Sequence, residues 1–500
     1  MKRKNDLHRL IRSMSKSEKR YFTLDAQKAG KKNAKYLRLF KAINALEHYS
    51  EAEIKQQFPK NLAADKTYLY DAILRSMRDY HSKKSRAAQI KEHLMDAKYL
   101  YERELYDLCE ASLQSAKKLA EELGDHLSLL EINKQMRKVV KTTKKGIGEG
   151  VLLDLQMETK EVSTGLLEEF RTLNLYDNIV KNAVFHKQLS KDQIEDFKRN
   201  LSQLEVQKEK GFNSIHAEHR FYQTSGLYNH LVQDFDSFFE YFGYVMDWWD
   251  RNSEYKEEAF YNYIIDISTY LGACFRRERF DSFLELIERL EREEPSNTHH
   301  QKILFQRLYQ YKLVYSINLG IVKGVRQIAD DVELGLSRFS ISQSTEKVLV
   351  LNMAILLFIA EEFDLCIEWS NRLINNTKSQ IRLDIDRGIY FIKLISSYET
   401  DDFETFENTL RSANRFFNKE KDQYLSYYLK FLSKLKKLPD APLDNQREVL
   451  VDLKKYIEDM RAEIKGRVPL VGIDEMTICW INSNLQRKSI AEVVKAEREN

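Results

Sequence analysis

Three groups of residues have the types and spacing to do chemistry. His216, Glu218 and His219 form an H-x-E-H run whose two imidazoles, three residues apart, share one helix face, and His299 and His300 are adjacent. A helical zinc site needs two such histidines plus further ligands. No Cys or Asp cluster joins these, so neither metal nor cofactor is expected. The run Lys145-Gly-Ile-Gly-Glu-Gly150 is rich in glycine but lacks a G-K-[ST] ending and a preceding strand, so it reads as a loop rather than a phosphate cradle. No G-x-S-x-G elbow is present. Cys109, Cys274, Cys366 and Cys479 form no C-x-x-C and read as reduced thiols of a cytosolic protein. Nothing in this inventory argues for an enzyme.

The third group is basic. Residues 1–85 hold 21 Lys or Arg against 9 Asp or Glu, a balance of +12, whereas the remaining 415 residues balance at −9. The whole-chain value of +3 hides this asymmetry. Within the basic head, Glu51–Phe58, a short turn and a helix starting near Ala64 have the spacing of a helix-turn-helix. Lys66, Tyr70, Arg75, Arg78, Lys83 and Lys84 would then meet phosphates, adding affinity without base specificity. Nucleic-acid binding is thus the alternative function, with solvated helix faces the plainer account.

The elements that must position such residues are helices. Gly numbers 16 and Pro 5 in 500 residues, against about 35 and 25 at average usage, so turn-rich all-β and doubly wound α/β folds are disfavoured. The 26 Phe and 27 Tyr leave much to bury and exclude a disordered chain. Leu7, Leu10, Ile11 and Met14 make one helical stripe, and Ser15/Glu18 and Ser50/Glu53 are capping boxes. The start of the chain reaches a polar helix without the apolar run of a secretory signal, and Val348–Ala360 is too short to span a bilayer. No membrane is expected, and the location is expected to be cytoplasmic.

From about residue 88 a pattern recurs. Tyr106, Phe235, Phe280, Val325, Phe363 and Phe403 each follow a short polar turn, the last five at spacings of 45, 45, 38 and 40. The gap of 129 before Phe235 would hold three units of 43. Eight or nine residues before five of these anchors stands a small residue: Ala97, Gly226, Gly272, Ser316 or Ala354. Three after each stands an apolar one: Cys109, Phe238, Phe283, Ile328, Cys366 or Phe406. In a helical hairpin the small residue lets two helices approach, and the anchor packs back across the pair. One hairpin cannot bury its stripe alone, so copies must stack. Between 140 and 215 helices are visible without an anchor.

The aromatic run Phe235–Trp249 reads mainly as a core stripe of Phe235, Phe238, Phe239, Phe242, Val245, Met246 and Trp249, with Tyr241, Tyr244 and Trp248 on the flank toward a groove.

The unit seen best in Asn352-Met-Ala-Ile-Leu-Leu-Phe-Ile-Ala-Glu-Glu-Phe-Asp-Leu-Cys-Ile-Glu-Trp369 resembles the tetratricopeptide repeat with longer helices, although no Pro closes the units and Leu394 replaces the last small residue. The resemblance implies an all-α chain: an antiparallel helical-hairpin solenoid over 86–438, a basic helical domain at 1–85, and C-terminal helices at 439–500, where Trp480 and Ile481 cap the last repeat. It implies a non-enzymatic scaffold presenting a concave groove to a protein or peptide, and is compatible with a homo-oligomer. The groove is expected to carry Tyr222, Asn229, Asn262, Asp266, Asn318 and Asn352, the asparagines having helix-internal hydrogen bonding as their ordinary role.

Overall fold

The computed structural model describes residues 5–28, 35–83, 85–145, 150–186, 189–295, 297–375, 382–419, 424–463 and 472–499. Lys84 and the glycines at 146 and 148 lie outside them. Among the described residues there is no strand, and no helix is long and apolar enough to cross a membrane. The chain divides into two compact units, the boundary falling between Arg279 and Phe280.

The first unit opens with α1 (Asp6–Ser13), α2 (Lys16–Lys28), α3 (Lys35–Ala45), α4 (Glu51–Gln57) and α5 (Leu62–Ser82). Their apolar stripes, including Leu7, Ile11, Phe22, Phe40, Ile43, Ile54, Leu69 and Ile73, make one buried cluster. The capping box that starts α2 is complete: the Glu18 amide donates to Ser15 Oγ and the Ser15 amide to Glu18 Oε2. Next come α6 (Arg86–Glu102), α7 (Tyr106–Leu123), α8 (His126–Thr143), α9 (Val151–Lys181, running on into a π-helical turn), α10 (Lys191–Lys210), α11 (Ile215–Leu231), α12 (Phe235–Arg251), α13 (Ser253–Glu258) and α14 (Phe260–Arg276). Consecutive helices pack together from α6 to α9, α9 packs on α11, and α12 lies between α11 and α14. Four helices, α8 to α11, separate α7 from α12. Three hairpin units in that interval would need five, and the expectation fails because α9 runs unbroken for 31 residues.

The second unit comprises α15 (Phe280–Glu291), α16 (Thr298–Leu319), α17 (Val325–Arg338), α18 (Gln343–Ile359), α19 (Phe363–Asn375), α20 (Leu383–Glu399), α21 (Phe403–Lys419), α22 (Leu425–Leu435), α23 (Lys437–Asp440), α24 (Leu443–Glu463), α25 (Ile473–Gln486) and α26 (Ile490–Glu499). Here too each helix packs on its neighbours. Nearly every residue of α18 from Leu349 to Ile359 is buried, which explains its all-round apolar sequence.

All six anchors are the first residue of a helix: α7, α12, α15, α17, α19 and α21. Five of the turns before them close identically. Two residues ahead of the anchor, Glu104, Gln233, Glu278, Glu361 and Asp401 adopt positive φ of 54 to 65°. The following amide then reaches back five residues, Leu105 to the Leu100 carbonyl, Asp234 to Asn229, Arg279 to Cys274, Glu362 to Leu357 and Asp402 to Ser397, at 2.9–3.1 Å. This is the Schellman closure, which satisfies carbonyls that a helix end otherwise leaves open. Glycine usually takes the left-handed position, because a side chain there costs roughly 1–2 kcal/mol. In this chain glycine does so at Gly124 and Gly320, with φ of 65 and 62°, and charged or amide residues do so elsewhere. The scarcity of glycine therefore coexists with many tight turns. The small residues also act as expected: a Cβ on Gly226 would lie 2.7 Å from the Phe242 ring, while Ala97 and Ala354 are fully buried.

The C-terminal segment holds two helices after α24, the second opened by a capping box in which the Ser489 amide and the Glu492 amide each donate to the other's side chain. Moreover, α25 packs on α20 as well as α24, and α26 on α16. The indole of Trp480 donates to Glu399 at 2.6 Å, the Ile490 amide donates to Glu361 at 2.8 Å, and a Cβ on Gly320 would meet the Ala491 carbonyl. These helices thus lie across the C-terminal ends of α16, α18 and α20.

Candidate functional site

An open cleft of about 620 Å³ lies along α11 and α12, lined by Glu218, Tyr222, Tyr244, Asp247, Asp250 and Arg251. Helical spacing builds it. Glu218 and Tyr222 are four apart on α11, and Tyr244, Asp247 and Asp250 or Arg251 stand three or four apart on α12, so each set forms one stripe. The apolar stripe of α12, with Phe238, Phe242, Val245 and Trp249 buried, fixes the helix and turns the other stripe outward.

The Tyr222 hydroxyl donates to Glu218 Oε1 at 3.0 Å, and Arg251 donates to the same oxygen at 3.1 Å. Burial, reinforced by the Glu218 carboxylate, pushes the Tyr222 phenol up to about 12. Tyr244 is 43% exposed, and its ring centroid is 5.5 Å from that of Tyr222. Behind them, Lys208 of α10 places its Nζ 5.9, 5.3 and 5.1 Å from the ring centroids of Phe221, Tyr222 and Tyr244. The Tyr241 hydroxyl donates to Glu205 at 2.5 Å, and burial raises its pKa too. Three carboxylates and one guanidinium line the cleft, so its potential is negative. Aromatic faces beside carboxylates can hold an organic cation.

Of the residues expected in the groove, Tyr222 lies in this cleft and the others do not. Asp266, only 2% exposed, is inside. Its carboxylate lies 2.9 Å from His219 Nε2 and accepts from Gln223 at 2.5 Å and Trp249 at 2.9 Å. Trp248, expected on the flank, is fully buried, stacked on His219 at 4.1 Å and 9°. The causes differ: Asp266 on α14 is covered by His219 and Gln223 of α11 and Trp249 of α12, whereas Trp248 is covered by His216 and His219 of α11 and Tyr255 of α13. Asn229 and Asn318 donate to carbonyls of their own helices four residues back, and Asn262 and Asn352 are half-buried.

A matching device stands in the second unit. Lys347 and Asp386, 4% and 1% exposed, pair at 2.6 Å between α18 and α20. His219 and Lys347 each stand 16 residues before an anchor, Phe235 or Phe363, and each meets an Asp on a later helix, α14 or α20. Nothing in the sequence marks these internal polar ties, because an isolated Asp in an apolar helix reads equally as an exposed position.

In the basic head, Lys66 is 6% exposed. Its ammonium bonds the Tyr49 hydroxyl and pairs with Glu51 at 3.3 Å, so it ties α4 to α5 and is not free to meet phosphate. Tyr70 is half-buried, while Arg75, Arg78 and Lys83 are exposed with Asp71 and Asp79 interleaved. Of the H-x-E-H run, His219 is held by Asp266 and His216 Nε2 lies 2.8 Å from the Leu123 carbonyl, whereas Glu218 faces the cleft. The backbone amide of His300 donates to Asn297 Oδ1, the N-cap of α16, at 2.7 Å. Among the described residues no group of three or more His, Cys, Asp or Glu side chains is arranged to hold a metal ion. All four cysteines are buried and none forms a disulfide. Burial raises the Cys109, Cys366 and Cys479 thiols, Cys366 to about 12, which keeps them protonated. No protein-family model matches the chain, and comparison with curated proteins and with solved structures finds no match.

Proposed function

We propose that this chain is a non-enzymatic interaction scaffold, a tetratricopeptide-like solenoid of helical hairpins that holds a protein partner on the α11–α12 surface. The observation that carries the reading is the negatively charged aromatic cleft, built on two helices whose opposite faces are locked into the core. Aromatic side chains flanked by rim charges are the composition that binding surfaces favour. The remaining polar chemistry supports the same reading: His219 and Asp266 satisfy one another internally, and burial holds the thiols of Cys109, Cys366 and Cys479 neutral. The interleaved carboxylates on α5 weaken the nucleic-acid alternative, since like-signed phosphate is repelled beside each arginine.

The test is capture of partners from native lysate by the full chain and by an Asp247→Lys/Asp250→Lys variant, with nuclease added to both. The reading expects a nuclease-resistant partner lost from the variant. A partner set unchanged by charge reversal, or one that disappears with nuclease, rejects it.

A further inference from the structure

We infer that the corner between α1 and α2 is a second binding surface of this chain, one that grips the phosphate backbone of duplex nucleic acid without reading its sequence. It goes beyond the reading of the α11–α12 cleft and does not depend on it. Between Arg9 and Arg20 the chain carries five cations and one carboxylate. Arg12 stands in the last turn of α1, and Lys16, Lys19 and Arg20, spaced i, i+3 and i+4, are neighbours on α2. Because α2 buries Phe22 and Ala26 in the core of the head, Lys16 and Arg20 point outward; they and Arg12 are exposed, with Lys19 half-buried beside them. The carboxylates of this stretch are engaged elsewhere. Glu18 accepts from the Ser15 amide at 2.6 Å and lies 2.8 Å from His81 Nε2, Asp6 pairs with Arg9 at 3.9 Å, and Asp25 lines a separate hollow with Tyr21, Leu24 and Gln27. Among the described residues no carboxylate pairs with Arg12, Lys16, Lys19 or Arg20. Partial burial and the nearby Arg12 charge both lower the Lys19 pKa, as expected of cations crowded together without a counter-ion.

The chemistry selects the ligand. Lys16 and Arg20 are about 6 Å apart along α2, close to two phosphate steps of one strand at about 3.4 Å each. A single strand would call for exposed aromatic platforms, and Tyr21 is instead packed on Tyr80 at 4.9 Å. An anionic membrane would call for an apolar helix face to insert. Here the apolar stripes of α1 and α2, with Leu7, Ile11 and Phe22, are buried in the head, and Leu24 alone is left half-exposed on them. The surface also differs from that of α5, whose exposed arginines alternate with Asp71 and Asp79. None of the six residues that the helix-turn-helix spacing singles out belongs to it.

The experiment titrates the full chain into two fluorescein-labelled DNA duplexes of unrelated sequence, read by anisotropy at several salt concentrations, with cosedimentation on phosphatidylcholine vesicles containing phosphatidylserine as a second arm. Four phosphate contacts give a slope of log K against log salt of about −3.6, a roughly hundredfold loss of affinity between 50 and 200 mM. Lys16→Gln/Arg20→Gln is expected to weaken binding to both duplexes and to halve that slope to about −1.8. Lys55→Gln/Lys60→Gln removes the same charge from two exposed positions beside the start of α5, whereas Glu18 and His81 join the corner to its end. This control is expected to leave the slope unchanged. Absence of duplex binding at 50 mM salt, equal losses in the two double variants, or a tenfold preference for one sequence overturns the inference. Retention on the vesicles without binding to either duplex overturns it as well, in favour of a lipid surface.

Discussion

The buried pair between α18 and α20 gives a quantitative test of how successive hairpins are joined. Lys347→Met keeps the length and apolar stem of the side chain but removes the ammonium that meets the Asp386 carboxylate, 1% exposed, at 2.6–2.7 Å. Asp386→Leu does the converse to an ammonium that is 4% exposed. Neither charge can reach water without separating the two helices, so each single change should cost about 3–5 kcal/mol. The double variant removes both desolvated charges and fills the space with apolar atoms, so it should lie within about 1 kcal/mol of the parent. Because a chain of two units does not unfold as one transition, the readout should be local: hydrogen exchange of peptides from α18 and α20. A 3–5 kcal/mol loss corresponds to roughly two to four decades of protection where opening is local. Additive single changes, or a Lys347→Met chain whose α18 and α20 amides keep their protection, would refute the argument that this pair ties the hairpins together.

Further expectations concern the turns, the helix crossings and pH. Gln233→Gly and Asp401→Gly should each stabilise by up to about 1 kcal/mol, as relief of left-handed strain exceeds the entropy that glycine loses. Glu361→Gly should not, because it also removes the acceptor of the Ile490 amide; melting temperatures decide, and a destabilised Gln233→Gly chain contradicts the strain argument. Gly226→Ala should cost about 1–3 kcal/mol through overpacking, since its Cβ meets Phe242; an unchanged melting temperature would show that the crossing can relax. The Glu169 carboxylate, 2.6 Å from His126 Nδ1, raises the His126 pKa through its hydrogen bond, against an opposing effect of burial. A raised folded-state pKa gives stability fully present below the unfolded histidine value, about 6.5, and lost as pH climbs through the folded value. The stability deficit of Glu169→Gln should therefore be larger at pH 6 than at pH 8.5, and an equal deficit at both would contradict the pairing.

Much of the architecture was legible because helix formation leaves local marks. Anchors such as Phe235 and Phe363 mark helix starts, since a polar turn followed by an aromatic is a local event, and Ser15 with Glu18 is a self-contained cap. What escaped depends on packing partners distant in sequence. The run Val151–Lys181 has no anchor because it has no turn. Ser489 with Glu492 is a local cap that opens α26, but what holds α26 in place is its packing on α25 and on α16, the latter far away in sequence. Asp266 and Lys66 have the same local surroundings as exposed residues, and only the apposition of α11 with α14, or of α4 with α5, decides their burial. Within the cleft, Tyr222 and Tyr244 were visible as off-stripe aromatics. Asp247 and Asp250 carry no local mark in the sequence, because they line the cleft only once α11 and α12 lie side by side.

The most direct test of the scaffold account is a photo-crosslinking amino acid placed at Tyr244 in the full chain, with Tyr261, an exposed tyrosine of α14, as the control. The account predicts a discrete crosslinked partner from Tyr244, absent from Tyr261 and lost when Asp247→Lys/Asp250→Lys is added. Crosslinks that form equally from both positions, or that survive the charge reversal, would contradict it.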